Sequence, residues 1–524
     1  MRARLGLAIL VVSMTAPTVA SAADKNADPA TLAQALTTLQ PGDTLHLAPG
    51  HYPHFSIANL NGNANAWITI TGPAVSPPTA IVDADLGGSS NTVEIRNSSF
   101  VALQHVTIDG HDVDGAFGIS AGGGANNRVH DVRIEDCTLV NHHGSQQHDA
   151  ISTKTPTWGW IIRRNTIVRA GTGLYLGNSD GSDPFIGGII EDNLVDGPIG
   201  YCMEIKFQAP RPAVSGMPTA PTTTIVRNNV FIKNDDPSPD GDRPNVLVGG
   251  FPATGAGSSD RYEIYGNLFF HNPRESLLQV SGRVTIHDNV FVDGVRAVLA
   301  QNHDLPLSQA YVYDNTVYAP TGIVFGSAAP QGDAVVGNLV FAATPISGTI
   351  ANQRDNLTAA MANAATYVAA PSATLGQMDF YPLAGKCRGA AIDASLFAND
   401  HDFDRDFNGT KRGFDFRGAY AGEGRNPGWP LGRGIKSGGD AGDAGPGSDG
   451  GASVDGGSDG ASSEDGGASG ANGANASDAG GCGCRATNAA PTNGAALAAM
   501  AALLARARRR RRGSASRSTG PLRL

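Results

Sequence analysis

The sequence predicts an all-β solenoid, a parallel β-helix in which one short strand-and-turn unit repeats along an axis. Three observations predict it. One phrase recurs, an Asn followed by apolar β-formers: "RRNTIV" at Asn165, "EDNLV" at Asn193, "RNNVF" at Asn229, "YGNLFF" at Asn267, "HDNVF" at Asn289, "YDNTVY" at Asn315 and "VGNLVF" at Asn338. Its spacings are 28, 36, 38, 22, 26 and 23 residues, and the shortest suits one coil of such a helix. The composition, 68 glycines in 524 residues with 6% aromatic and 16% charged, favours many tight turns over helix bundles.

The elements follow in chain order. Residues 1–22 read as a secretion signal: Arg2 and Arg4, an apolar stretch from Leu5 to Met14, and the small-residue site Ala20-Ser21-Ala22. The apolar stretch is shorter than the ~20 residues that span a bilayer. Residues 23–425 are the predicted β-helix. Each Asn phrase is followed by Gly and a second short apolar strand, as in "TGLYL", "CMEIK", "NVLVG", "AVLA" and "TGIVF". Coils stack at about 4.8 Å. An Asn at one place in every coil can therefore bond to the Asn above and below. "EDCTLV" fits the same frame, with Cys137 in place of Asn. The longer repeats carry insertions, among them "QAPRPAVSGMPTAPTTT" and "NDDPSPDGDRP".

Residues 426–481 form an acidic Gly/Ser/Asp linker with little to bury, and disorder is expected there. Residues 482–524 hold Cys482 and Cys484, an Ala/Leu run from Ala495 to Ala505, and Arg508 to Arg512. Cys137, Cys202 and Cys387 allow at most one disulfide, with no choice of pair. The net charge of −10 argues against nucleic acid as a partner. A monomer is expected.

With these segments in hand, two resemblances can be stated. The coils, the opening "LQPGDTLHLAPGHYPHFSI" with "AWITITGP", and the closing segment Asp379 to Tyr420 resemble the right-handed parallel β-helix (pectate lyase-like) superfamily. That superfamily includes the alginate lyase/chondroitinase B family. The likeness runs from about Asp28 to Gly424. It implies the fold, and only weakly an activity, because the architecture hosts lyases, hydrolases, epimerases and adhesins. The Cys motif, apolar run and basic stop resemble a myxobacterial C-terminal sorting signal. That implies processing near the cysteines and anchoring at the outer membrane. The apolar run is short and Ala-rich for such a signal.

The strand "GYCMEIKFQAPRP" raises the functional question. Met203, Ile205 and Phe207 alternate with Glu204, Lys206 and Gln208, so an acid and a base share one face. Aligned by apolar positions, Ile119, Ile151, Leu174, Met203 and Val246 form one inward column, and Ala121, Thr153, Leu176, Ile205 and Val248 another. The outward columns are then Ser120, Ser152, Tyr175, Glu204, Leu247 and Gly122, Lys154, Gly177, Lys206, Gly249. A one-residue slip would reverse every face. Two lysines two coils apart, with glycines between and beyond, describe a cationic strip with room for a ligand.

The chemistry this suggests is recognition of an acidic sugar. β-Elimination needs a base for the C5 proton and a positive group or Ca²⁺ on the uronate carboxylate. The candidate catalytic residues are Lys206, Glu204 and Lys154, with Glu204 either a metal ligand or the ion-pair partner. In the alginate lyase family a strand lysine does this work with an arginine from a later coil, and Arg211, Arg227 and Arg243 are all conceivable partners. Candidate substrate contacts are Tyr175, Gly177, Asn178, Gln208 and Arg211, and Asp180 and Asp183 are candidate Ca²⁺ ligands. The plain alternative is a solvated face with a weak surface ion pair. "DRDFNGTKRGFD" has calcium-loop spacing (Asp404, Asp406, Asn408, Gly409, Asp415) but lies in the closing segment, where a structural role is favoured. His142 and His143 are adjacent and so face opposite ways in a strand. Three classes remain open: a polysaccharide lyase, a non-catalytic carbohydrate binder, and a structural surface protein.

Overall fold

The structure is a computed structural model and describes residues 22–86, 90–123 and 127–436. The expected secretion signal up to residue 21, residues 437–481 of the expected linker and the Cys and Arg motifs of the tail lie outside the described residues.

The chain winds through three strands per coil. Every strand pairs in parallel with its counterpart in the next coil, from Asp24–Ala27 to Leu357–Ala359. Each strand position becomes a long face. Face 1 contains Ile161–Arg163, Ile189–Glu191 and Thr223–Arg227. Face 2 contains Thr166–Ala170, Leu194–Asp196 and Val230–Ile232. Face 3 contains Asp149–Thr153, Thr172–Leu176, Met203–Ile205 and Val246–Val248. Two long strands, Leu268–Val280 and Val290–Ala300, run through faces 2 and 3 without a break. The inner side chains form one apolar column, in which Phe231, Phe269 and Phe291 stack at 5.3 and 4.7 Å.

The Asn ladder occupies the turn from face 1 to face 2. Asn193 Oδ1 accepts from both the backbone N–H and the Nδ2 of Asn165, each at 3.0 Å, and Asn193 Nδ2 donates to the Ile162 carbonyl. The pattern repeats through Asn229, Asn267, Asn289, Asn315 and Asn338. It ends at Asn356, in "RDNLTA", a copy of the phrase 18 residues after Asn338 that is not among those named above. At the other end Cys137 donates its N–H to Asn165 Oδ1. Cys137, Cys202 and Cys387 are all buried free thiols.

After the last coil, residues 360–436 fold back along the helix. Phe380, Tyr381, Phe407, Tyr420 and Leu431 cover Val230, Ile232, Leu268, Phe270 and Phe341 on the outside of face 2. Arg412, fully buried, binds Asp288 and Asp314 on the coils and anchors this closing segment. Face 3 is left to the insertions.

Candidate functional site

Face 3 has the register expected from the alternation. Ser120 pairs with Ser152, Ser152 with Tyr175, Tyr175 with Glu204 and Glu204 with Leu247, while the apolar neighbours point into the core. Lys154 and Lys206 each follow directly on a strand of this face. The backbone N–H of Lys206 bonds to the Leu176 carbonyl, and that of Lys154 to the Ala121 carbonyl. Both ammonium groups turn toward the Tyr175 ring, at 5.6 Å for Lys154 and 5.9 Å for Lys206. Lys154 also lies 4.6 Å over Phe117.

Each lysine is backed by a buried carboxylate. Lys206 Nζ bonds Glu204 Oε1 at 2.8 Å, and Lys154 Nζ bonds Asp149 Oδ2 at 2.9 Å. Burial pushes the Asp149 carboxyl up to about 6, with Lys154 pulling against it. Burial also raises Glu204, opposed by Lys206 and, at longer range, Arg243 and His303. The Tyr175 hydroxyl is raised by burial and by the Glu204 charge. Arg243, brought in by the insertion before Val246–Val248, lies 5.7 Å over the Tyr201 ring at the edge of the same cluster. Of the three conceivable arginines it alone comes near. Arg227 is held by Glu191 on face 1.

Several expectations are corrected. Glu204 is buried rather than partly exposed, and the Lys206 side chain is only 14% exposed against 41% for Lys154. The pair is therefore an interior one: Lys206 Cβ packs on the turn at Gly177, and the chain just beyond it bonds back to the same turn, with the Ala209 N–H on the Gly181 carbonyl. Arg211 is buried beneath that insertion, bound to Asp260 and to the Pro218 carbonyl. Gln208 is buried and donates to the Phe185 carbonyl. Asn178 closes its own turn, accepting from the Asp183 N–H and donating to Ser182 Oγ and Asp183 Oδ2. Gln208 and the Arg211 side chain are buried, and Asn178 is bonded within its own turn, so none of the three presents itself to a ligand in the way the sequence suggested.

The glycines serve the protein itself. A Cβ at Gly177, where φ is +91°, would press on Lys206 Cβ at 3.2 Å. A Cβ at Gly249 would overlap the Phe207 backbone. The calcium expectation fits no better. Asp180 caps the Ser182 N–H, Asp183 sits in the Asn178 turn, and the two carboxylates beside Tyr175 are each taken by a lysine. In the closing segment Asp406 accepts backbone N–H groups of Asn408, Thr410 and Ala421, while Asp415 binds Arg388. Among the described residues no group of three or more His, Cys, Asp or Glu is placed to share a metal ion.

Sequence reasoning missed Phe117, Tyr201 and His303. Phe117 is the second residue of its strand, two before the aligned column, and Tyr201 and His303 lie outside the face 3 strands. Asp149 was missed too, although it stands only five residues before Lys154.

No protein-family model and no curated protein matches the chain. Among solved structures it is similar to the PL6-family alginate lyase AlyGC (18% identity, 64% of this chain and 51% of that one, TM-score 0.42). It is also similar to a mannuronic acid-specific family 6 polysaccharide lyase from human gut microbiota (13%, 64% and 83%, 0.41). A third is the pectate lyase Pel9A (13%, 64% and 80%, 0.38). The chain spans about half the length of AlyGC.

Proposed function

We propose that this chain engages an acidic polysaccharide along face 3. One observation carries the reading: two lysines, two coils apart, flank one aromatic ring, each oriented by a buried carboxylate. An isolated exposed ion pair contributes only about 0–1 kcal/mol. Two lysines aimed at one ring, Lys154 41% and Lys206 14% exposed, instead hold ammonium groups beside a ring on which a sugar could stack. A sugar ring can lie on Tyr175 while its carboxylate meets an ammonium group.

The reaction such a site is equipped for is β-elimination. A base takes the C5 proton, the C4–O bond breaks, a C4=C5 double bond forms, and the departing oxygen takes a proton. Lys206 is the base candidate, Lys154 and Arg243 would face the carboxylate, and Tyr175 or Tyr201 would protonate the departing oxygen. Among the described residues no shared metal donor set lies beside these groups, so each role falls to a side chain. A second reading, a non-catalytic binder, is favoured by the closed Lys206–Glu204 pair, which leaves Lys206 no lone pair to abstract a proton. The two part in one experiment. Alginate and pectate, the polymers of the similar chains, are incubated with the protein and followed by ultraviolet absorbance of unsaturated uronates. Absorbance lost in Lys206→Arg supports the lyase. Binding without absorbance supports the binder. Neither binding nor absorbance with any acidic polymer would reject the function.

The same proposal includes secretion and anchoring at the outer membrane through the C-terminal tail. Intact-mass analysis of the surface form should find the first 22 residues and Arg508 to Arg512 removed. A surface form that retains the arginines rejects the sorting tail.

A further inference from the structure

Far from face 3, the side chain of Lys436 reaches from the closing segment to a turn between faces 1 and 2. Lys436 is 3% exposed. Its Nζ donates to Asn228 Oδ1 at 3.0 Å and to the Gly266 carbonyl at 2.7 Å, and it lies 3.7 Å over the Phe407 ring. Gly266 makes this approach possible. Its φ is +64°, and a Cβ there would stand 2.5 Å from Asn228 Oδ1 and 3.4 Å from Lys436 Nζ. A buried amine is thus held against a carboxamide that lies 208 residues away in the chain.

Three features suit this pair to react. An amine is a nucleophile only when neutral, and burial pushes Lys436 down to about 7. A carboxyl group is also placed to move protons. Asp192 occupies the same turn one coil before Asn228, with its N–H on the Arg227 carbonyl. Of the acids that act on Lys436 it weighs most. The next two are committed, Asp406 to backbone amides and Asp288 to Arg412. Asp192 Oδ1 is buried and has no hydrogen-bond partner among the described residues. Burial raises this carboxyl to about 6, so both of its forms are populated near neutral pH. Finally, a cavity of ≈480 Å³ is walled by both Asn228 and Lys436 and gives a small leaving molecule a way out.

We propose that Lys436 and Asn228 join in an intramolecular isopeptide bond. The neutral Nζ attacks Asn228 Cγ, the Nζ–Cγ bond forms and the Cγ–Nδ2 bond breaks. Asp192 carries the proton lost by Nζ to the departing nitrogen, which leaves as ammonia. Amine and carboxamide give a secondary amide and ammonia, so the step balances with no oxidant and no further reactant. The bond removes a buried charge, which is costly to keep, and fastens the end of the closing segment to the coils covalently. It is independent of any ligand on face 3.

The test is mass spectrometry of the purified full chain. The protein should be lighter than the sequence between its measured termini by one ammonia, about 17 Da. Trypsin should release Asn228–Lys233 joined to the peptide that begins at Gly434, with no cleavage after Lys436. Asn228→Ala and Lys436→Arg should each show the full mass of their own sequence and separate peptides. In Asp192→Asn, followed from the start of refolding, the bond should form roughly a hundredfold more slowly. The wild-type protein decides the matter even where a variant does not fold. Full mass with separate peptides would overturn the inference. So would ammonia lost from a linear peptide, such as one spanning Asn408 and Gly409. Formation at the wild-type rate in Asp192→Asn would overturn the role of that carboxyl.

Discussion

At the scale of single residues, two kinds of buried polar group behave oppositely. The ladder asparagines are fully satisfied. Replacing Asn229 with Leu strands the N–H and amide of Asn193 and the carbonyl of Ile190. Each unpaired buried group costs roughly 1–3 kcal/mol. Asn229→Leu should therefore lower the Tm far more than Asn65→Leu, at an exposed loop position. Comparable small losses at both would remove the ladder as a source of stability. Asp149 shows the other behaviour, since burial raises it from 3.8 to about 6. A raised carboxylate favours the folded state while protonated. Its stabilising contribution is full below 3.8 and is lost as pH climbs through about 6. Asp149→Asn has no such loss, so its Tm relative to wild type should rise between about pH 4 and pH 7. A pH-independent difference would mean that Asp149 is not titrating there.

At the scale of one strand, Met203–Ile205 carries the lesson of the site. Alternation placed Glu204 and Lys206 on the outer face, and the pairings agree. Alternation also implied solvent on that face, and there the structure differs: Glu204 is 3% exposed. Removing one partner of a buried pair costs roughly 3–5 kcal/mol because the other charge is left uncompensated. Lys206→Met should destabilise clearly at neutral pH and less in acid, where Glu204 takes up a proton. The double variant Glu204→Gln/Lys206→Met should recover most of the Tm. A single variant as stable as wild type would return the pair to the surface class. Face 2 teaches the same point. Val230, Phe231 and Ile232 are all buried, since a run without alternation is apolar on both sides.

At the scale of the whole molecule, stability depends on how the closing segment is fastened to the coils. Arg412 sits between Asp288 and Asp314, all three buried. Burial pushes Asp314 up to about 7 even with Arg412 beside it. Arg412→Met should loosen residues 360–436 from face 2, read as faster limited proteolysis within that segment while the coils stay intact. Cleavage spread evenly along the chain would contradict a separate fastening.

The sequence by itself determined the coil, the Asn turn and the inward and outward columns of face 3. These follow from local rules, a two-residue strand period and an amide that bonds only to its copy one coil away. Only the tertiary structure decided which outward residues meet water. The insertion after Gln208 buries Arg211 against Asp260, Glu204 is taken out of water, and the returning chain covers face 2 and encloses Lys436. Arg211 and Asp260 are 49 residues apart, and Lys436 and Asn228 are 208 apart. No periodicity reports such contacts, because they arise where segments distant in sequence bury each other's surfaces, and burial sets which charges stay free to act.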